Sequence, residues 1–359
     1  MGAARRQQAK VKGVFEKMLN DLIFRLCSTF AGAGNERKIA DQIQKEMQEY
    51  ADEIQIDKCC NVVCTVGEPT AKRHVLVDAH IDQISMVVTA VANAGFITIA
   101  PCGGVDCRVL PGATVLVHGK EIVRGIVCMT PPHLATKEKT DFAKTEDLLI
   151  DTGLSGQAVR GIVSVGDYVS FNVVPQKLLG SRITAPALDN RAGVATLICC
   201  AQMLKDKPLN CCVSFLFSVQ EEVRALGAKT ATFLLNPTEA ISVDVSFATQ
   251  PNVDEEKSGK LSQGPMIGVA PSLSRDISNQ LISLAKQYNI PHQLEIMNGA
   301  TGTTSDVITS SKSGIPGGLL SIPLKYMHTP VELIDTVDVE NTAKLLAQYI
   351  LEGGPRCDH

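Results

Sequence analysis

The sequence of 359 residues lacks the features that mark several classes of protein. Basic residues are not in excess, since the net charge is −4, so no general attraction to nucleic acid phosphates or anionic lipid is expected. No uncharged apolar run is long enough to span a bilayer. The basic start MGAARRQQAKVKG has no apolar segment of the secretory type, and Gly2 begins no complete myristoylation pattern. We therefore expect neither nucleic acid nor membrane as a partner and predict a cytoplasmic protein.

Spaced metal-binding or redox motifs are also absent among the twelve cysteines. No two cysteines form a C-x-x-C arrangement, which argues against a zinc ribbon or a thioredoxin-like site. Several lie in apolar runs such as TLICCAQML and CCVSFLF, where a reduced cysteine behaves as a small hydrophobic residue. A chain of this length with 45% apolar residues can build its core without disulfides. We therefore expect the cysteines to be reduced.

What the sequence does contain is an alternation of helix and strand patterns. Residues 12–31 and 36–51 have apolar positions at helical spacing, and Asn35 is a suitable N-cap for the second helix. A short strand is expected near 53–65, and HVLVDAH at 74–80 is typical of a buried strand. These segments begin an α/β pattern.

The alternation is interrupted between about residues 84 and 175, where short β-rich runs are separated by Gly, Pro and Asp. After Asp189, strand and helix patterns alternate again as far as the closing helix DVENTAKLLAQYI. The sequence therefore predicts an α/β fold with a mixed, largely parallel sheet. Residues 1–82 and 176–359 are expected to form this domain, and residues 83–175 a small all-β insertion.

Chemically useful side chains follow several of these strands, at the edge where functional groups collect in open α/β sheets. They are two histidines and five carboxylates: His80, Asp82, Asp189, Glu221, Glu222, Asp244 and His328. Imidazole and carboxylate groups in this number suit a pair of divalent cations.

Each of these residues also has an ordinary structural explanation. A His-x-Asp pair is often a hydrogen-bonded surface pair, an Asp before a helix often caps it, and two Glu residues at a helix start complement the helix dipole. A histidine in a loop is often simply exposed. Asp244 is different, because an apolar strand rarely carries an unpaired carboxylate. The ordinary explanations do not account for all seven residues together.

Five segments resemble successive motifs of one family, the tetrahedral (TET) dinuclear-metal aminopeptidases. The segments are VDAHIDQIS, ALDNRAGVA, SVQEEVRALGA, SVDVSFA and IPLKYMHTPVELIDTVDVENTAKLL. The resemblance runs in order from about residue 14 to residue 351 and includes the β insertion. Relatives of this cytosolic family have also been labelled glutamyl aminopeptidases and endoglucanases. The resemblance implies a zinc-peptidase-like α/β catalytic domain, a PDZ-like insertion that serves dimerisation, and a dodecamer built from dimers.

The resemblance also implies which matched residues hold cations. His80 and Asp244 would hold one divalent cation, Glu222 and His328 the other, and Asp189 would bridge both. Each cation would then have three protein ligands and room for water and substrate. Zinc or cobalt is expected, with manganese as a further choice, because imidazole and carboxylate ligands accept all three.

Two further roles follow from the resemblance, and two segments depart from it. Glu221 would be the general base that takes a proton from water, and Asp82 would hydrogen-bond the second ring nitrogen of His80. Gln83 replaces the Glu that often follows the His-x-Asp motif. In GTTSDV, Asp306 comes later than the family pattern places its Asp, and we predict it as a substrate-pocket residue. No role is assigned to His133.

The function implied is a metal-dependent aminopeptidase that hydrolyses the N-terminal residue of short peptides. Three alternatives remain open at this point. The first is a related di-metal amidohydrolase, deacylase or carboxypeptidase. The second is a glycosidase, which would need two carboxylates flanking a sugar without metal assistance. The third is a non-catalytic assembly protein, against which the presence of every proposed ligand and base argues.

Overall fold

The computed structural model describes residues 2–129 and 145–352, with side chains from residue 13 onwards apart from residue 146. His133 lies outside the described residues. No described helix combines the length and apolar character that crossing a membrane requires. The cysteines within the described residues are all free, and six of them are buried.

The described residues form eight α-helices and seventeen strands. The helices are α1 (Gly2–Cys27), α2 (Arg37–Met47), α3 (Gly156–Ile162), α4 (Leu188–Leu204), α5 (Leu226–Leu235), α6 (Arg275–Gln287), α7 (Ser305–Thr309) and α8 (Thr336–Glu352). The first nine strands are β1 (Glu53–Ile56), β2 (Val62–Gly67), β3 (His74–His80), β4 (Ser85–Val91), β5 (Ile97–Cys102), β6 (Thr114–His118), β7 (Ile122–Cys128), β8 (Leu149–Asp151) and β9 (Tyr168–Phe171). The remaining strands are β10 (Gln176–Lys177), β11 (Arg182–Ala185), β12 (Cys212–Ser218), β13 (Glu239–Phe247), β14 (Met266–Val269), β15 (Gln293–Ile296), β16 (Gly317–Lys325) and β17 (Glu332–Asp335).

Eleven strands form one sheet, in the order β1-β2-β12-β3-β13-β16-β17-β11-β10, with β14 and β15 attached beside β16. Its centre, β12-β3-β13-β16, is parallel throughout. Parallel strands end at the same edge, so this centre brings the residues at the ends of β3, β13 and β16 together.

The alternation of side chains along the central strands separates core from site. In β3, Val75, Val77 and Ala79 belong to the large core beneath α1, α2, α4, α6 and α8. Leu76 faces the opposite side and belongs to a small cluster with residues of α5 and α7. Because successive side chains in a strand alternate between faces, His80 lies on the same side as Leu76.

The other six strands, β4 to β9, close into a barrel with its own apolar core. The strands lie between residues 85 and 171, and α3 adds one short helix. The barrel contacts the segment that follows α1, since the Tyr168 hydroxyl donates to the Ala33 carbonyl at 2.9 Å and Phe30 stacks on His118 at 4.2 Å. Its treatment as a separate inserted domain stays a prediction.

The mixed α/β architecture is confirmed, but the expectation of a largely parallel sheet is wrong. Among the described strands of the large sheet, four pairings are parallel and six are antiparallel. The centre is parallel because helices connect its strands, whereas short hairpins and loops extend both edges in antiparallel pairing. The predicted strand near 53–65 is accordingly a hairpin of β1 and β2.

Two local predictions also need correction. The N-cap position of α2 is Glu36 and not Asn35, and no side chain caps that helix end. The helix after Glu221 and Glu222 begins only at Leu226, since the preceding residues form a turn in which Arg224 has φ 107°. The two carboxylates therefore do not lie in the first turn of a helix.

Candidate metal centre

The parallel centre of the sheet places His80 beside Asp244. Asp78 of β3 pairs with Ser242 of β13, so the residues two positions further along each strand are neighbours on the same face. The Nε2 atom of His80 lies 3.7 Å from Oδ1 of Asp244, and both residues are buried. The register of two core strands thus determines half of the site.

Asp189 lies between the two histidines. Its Oδ1 is 3.1 Å from Nε2 of His80, and its Oδ2 is 3.3 Å from Nε2 of His328. Asp189 does not cap α4, because the amide of Gly193 donates instead to Oδ1 of Asn190 at 3.0 Å. Asn190 is therefore the residue whose side chain caps α4. Both carboxylate oxygens of Asp189 are directed at histidines.

The second histidine and Glu222 come from loops. His328 follows β16 and has a left-handed backbone, with φ 61°, and its side chain is 33% exposed. Its Nε2 lies 3.5 Å from Oε2 of Glu222, whose side chain is only 4% exposed. The backbone at Gly104, just after β5 of the barrel, packs against the imidazole of His328. A Cβ added to Gly104 would lie 2.4 Å from Nδ1 of His328.

Asp82 stands close to His80 but makes shorter contacts elsewhere. Its carboxylate is 3.5 Å from Nδ1 of His80, and its own carbonyl is nearer, at 3.2 Å. The carboxylate oxygens accept the amides of Glu221 at 2.9 Å and Glu222 at 3.1 Å. Asp82 therefore fixes the turn that carries both glutamates.

Glu332, to which the sequence motifs assigned no role, also accepts two backbone amides of the site, as Asp82 does. Its buried carboxylate accepts the amide of Asp189 at 3.0 Å and the amide of His328 at 2.9 Å. A charged residue four positions after His328, at the start of an apolar strand, is the signal that could have identified it. Two buried carboxylates thus hold the backbone of four site residues.

Asp306 does not line the cavity at the site, contrary to the prediction of a pocket residue. Its carboxylate accepts the amides of Thr301 and Gly302, at 2.9 and 3.0 Å, and the hydroxyl of Thr301. These bonds order a loop whose residues Thr301, Gly302 and Thr303 do line the cavity. Asp306 therefore orders a loop that lines the cavity, and its own carboxylate does not line the cavity.

The electrostatics of the site are those of crowded, buried carboxylates. Burial would lower the pKa of His80, but its hydrogen bonds to Asp189 and Asp82 raise that pKa well above the ordinary value. Burial would raise the pKa of Asp189, but the two histidines hold it well below the usual range. Burial, together with the charge of Asp189, raises the pKa of both Glu222 and Asp244 well above that of a free carboxyl.

The donor set fits two divalent cations. Two groups of three ligand atoms lie within 4.8 Å of one another: His80, Asp189 and Asp244 in one, and Asp189, Glu222 and His328 in the other. Among the described residues, Oε1 of Glu222 is buried without a hydrogen-bond partner. Cations would supply the partners that these carboxylates otherwise lack, since buried charges require compensation.

Comparison with known proteins decides the family. The model of the M42 glutamyl aminopeptidase family matches residues 60–345. The chain belongs to this family. A lysyl aminopeptidase of Pyrococcus furiosus is 32% identical over 319 residues, which cover 88% of this chain and 91% of the relative. The M42 chain is therefore a metal-dependent aminopeptidase, and the family predicted from its motifs is confirmed.

Solved structures of similar aminopeptidases extend this agreement to the whole fold. An aminopeptidase of the archaeon Desulfurococcus kamchatkensis has a TM-score of 0.88 and 30% identity, over 95% of the M42 chain and 96% of its own. The TET1 peptidase of Pyrococcus horikoshii, which can assemble into a tetrahedron or a large octahedral shell, has a TM-score of 0.82 and 28% identity. That match covers 93% of the M42 chain and 99% of the P. horikoshii peptidase.

Proposed function

We propose that this aminopeptidase releases the N-terminal residue of short peptides at a site for two divalent cations. His80 and Asp244 would hold one cation, Glu222 and His328 the other, and Asp189 would contact both. The observation that carries this proposal is the position of Asp189, whose two oxygens are directed at different histidines, 3.1 and 3.3 Å away.

The protein's own contribution to the reaction centres on Glu221. Two divalent cations, when bound, make water more acidic and polarise the peptide carbonyl. Glu221 belongs to neither group of three ligands, and its Oε2 lies 4.0 Å from Nε2 of His80 at the edge of the cavity. It is therefore free to accept a proton from the attacking water and to pass it to the amine that leaves. Asp82 holds the Glu221 backbone in this position.

The competing reactions fit this site less well. A metal-independent glycosidase would use two carboxylates without histidine partners. Here both histidines contact carboxylates through Nε2, and Asp189 is shared between them. A deacylase or carboxypeptidase would act on substrates without a free α-amino group beside the scissile bond. Acetylation of the substrate's α-amino group therefore distinguishes these alternatives.

A panel of aminoacyl p-nitroanilides tests the proposal. The metal-free protein is loaded with zinc, cobalt or manganese and assayed on free and N-acetylated forms of each substrate. We expect hydrolysis of the free forms only, and loss of that activity when a chelator is added. Equal rates on acetylated substrates, or activity that survives complete removal of the metal, would contradict the aminopeptidase assignment.

The role of Glu221 has its own test. In Glu221→Gln we expect kcat to fall by about 10²- to 10⁴-fold, because the amide cannot accept the proton. Bound metal, measured by mass spectrometry of the dialysed protein, should remain at the level of the unaltered chain. Loss of metal together with activity would show that Glu221 is a ligand.

Assembly is a further part of the proposal. We infer a homo-oligomer in which the barrel, as a PDZ-like dimerisation domain of residues 83–175, joins pairs of chains into a dodecamer. The tetrahedral and octahedral assemblies of the P. horikoshii peptidase support this inference. Light scattering of the full chain measures its mass directly, and a monomer at micromolar concentration would overturn it. A cytoplasmic location stays a prediction.

A further inference from the structure

The cavity at the metal centre has a second wall that the proposed mechanism does not use. The cavity has a volume of about 450 Å³. Its lining includes the apolar residues Phe247, Leu319 and Met327. One carboxylate, that of Glu295 on β15, stands among them. This wall is therefore apolar along its sides and anionic at one point.

Two hydroxyl groups hold the Glu295 carboxylate in place. Ser246 donates to Oε1, and Ser321 donates to Oε2 at 2.6 Å. One donor for each oxygen suits a carboxylate, which only accepts hydrogen bonds when it is ionised. The side chain is thus fixed at the wall by bonds that leave its negative charge in place.

The sheet connects Glu295 to the proposed reaction site. Ser321 of β16 pairs directly with Asp244 of β13. Ser246 lies two residues beyond Asp244, which is roughly 6–7 Å along the strand. One of the two hydroxyls that hold Glu295 therefore comes from the strand that carries Asp244, and the other comes from the strand paired with it.

The charges of the cavity single out Glu295. Glu295 belongs to neither group of proposed cation ligands. Among the described residues that line the cavity there is neither lysine nor arginine that could pair with it. Its carboxylate therefore has neither a proposed cation nor a cationic side chain of the cavity lining as a partner.

We propose that this wall binds the side chain of the substrate's N-terminal residue and that Glu295 selects lysine or arginine there. The proposal rests on the aminopeptidase function proposed above. The apolar residues contact the methylene stem of the substrate side chain, and Glu295 binds its ammonium or guanidinium group. An N-terminal glutamate is rejected, because its carboxylate meets that of Glu295 with no cation between them.

The test compares p-nitroanilides of lysine, Nε-acetyl-lysine, leucine and glutamate on the full, metal-loaded chain. Acetylation keeps the stem and the free α-amino group but removes the side-chain charge. We expect kcat/KM for lysine to exceed that for Nε-acetyl-lysine by about tenfold or more, with glutamate slowest. In Glu295→Gln, the ratio of lysine to Nε-acetyl-lysine should fall by about tenfold or more.

The control makes the same chemical change at an exposed site on the barrel. Glu121→Gln should leave the ratio of lysine to Nε-acetyl-lysine unchanged. Should Glu295→Gln fail to fold, Glu295→Asp keeps the charge, and lysine should still exceed Nε-acetyl-lysine.

Three results would overturn the proposal. One is a preference of the unaltered protein for leucine or glutamate. Another is a Glu295→Gln variant that slows every substrate by the same factor, since Glu295 would then contact the α-amino group. The third is equal rates on lysine and its acetylated form in both the unaltered chain and Glu295→Asp. Inactivity on every free anilide would instead reject the aminopeptidase function itself.

Discussion

The two halves of the metal centre are built in different ways. His80 and Asp244 stand on adjacent parallel strands, and both are almost completely buried. Glu222 and His328 stand on loops, and the side chain of His328 is 33% exposed. Strands hold side chains more firmly than loops do, so the first half has its geometry from the core of the protein. The second half depends on contacts made by other segments, chiefly Glu332 and Gly104.

This difference suggests that the two halves bind cations unequally. We expect the strand half to keep its cation through dialysis and the loop half to exchange it readily, because orienting contacts around metal ligands control affinity. The predictions below test this comparison.

The largest effect should come from removing either histidine. His328→Ala is expected to retain about one cation per chain, held by His80, Asp189 and Asp244. His80→Ala should retain less, since the half that remains is the one on loops. In both variants we expect kcat/KM to fall by about 10³-fold or more, because each cation contributes to the same transition state. Mass spectrometry of dialysed protein gives the metal content.

His292 provides the control for these variants. It lies outside both groups of ligands, with Nδ1 3.1 Å from the carbonyl of Ile290. His292→Ala should bind as much metal as the unaltered chain. The expected difference between the strand half and the loop half is contradicted if His80→Ala keeps one firmly bound cation while His328→Ala loses both.

A smaller effect should follow from adding one methyl group at Gly104. The Cβ would lie 2.4 Å from Nδ1 of His328, so the imidazole or the barrel segment must shift. In Gly104→Ala we expect the affinity of the loop half to fall by about 10- to 100-fold, and that of the strand half to stay unchanged. Titration calorimetry on metal-free protein resolves the two sites. Gly161→Ala is the matched control, because a Cβ at Gly161 meets nothing within 4 Å.

Substitutions of Glu332 and Asp82, whose carboxylates accept backbone amides of the site, should affect kcat and metal affinity to different degrees. Glu332→Gln removes one of two accepted amide bonds, to Asp189 or to His328, which leaves a buried amide unpaired at a cost of about 1–3 kcal/mol. We expect weaker metal binding by about tenfold. Asp82→Asn disturbs the turn that carries both Glu221 and Glu222, so it should lower kcat in addition to metal affinity. Equal effects of both variants on kcat and on affinity would remove the distinction.

The smallest effect is expected away from the metal centre, at Asp338 of α8. Burial raises the pKa of this carboxyl to about 7, although the amides of Ser262 and Gly264 donate to it. The folded chain therefore holds a proton that the unfolded chain releases above about pH 4. The contribution of Asp338 to stability must then decrease as pH rises from about 4 to 7.

Urea unfolding of the metal-free protein at several pH values measures this change. The stability difference between the unaltered chain and Asp338→Asn should shrink by on the order of 1–3 kcal/mol between pH 4 and pH 8. The variant loses a hydrogen bond at every pH but has no proton to release. A difference that grows with pH would show that the carboxylate is the form stabilised by folding.

Sequence patterns predicted some parts of this protein better than others. The apolar run in HVLVDAH identified β3 and placed His80 at its end, because the signal of a buried strand lies in neighbouring residues. The extent of parallel pairing was overestimated, since the partner of an edge strand is not recorded in the strand itself. The family resemblance of GTTSDV suggested a pocket role for Asp306, but its carboxylate makes hydrogen bonds with Thr301 and Gly302 of its own loop.

The sequence alone determined the family and the order of the proposed ligands, because both depend on residue types in short motifs. The tertiary structure decided which oxygen of Asp189 is directed at which histidine, and that Asp82 and Glu332 each hold two backbone amides of the site. It also placed Glu295 at the wall of the same cavity, although this residue lies in no motif that the sequence indicated. Most of these relations join residues that are far apart in the sequence, such as His80 and Asp189 or Asp82 and Glu221, and only the packing of strands and loops brings them together.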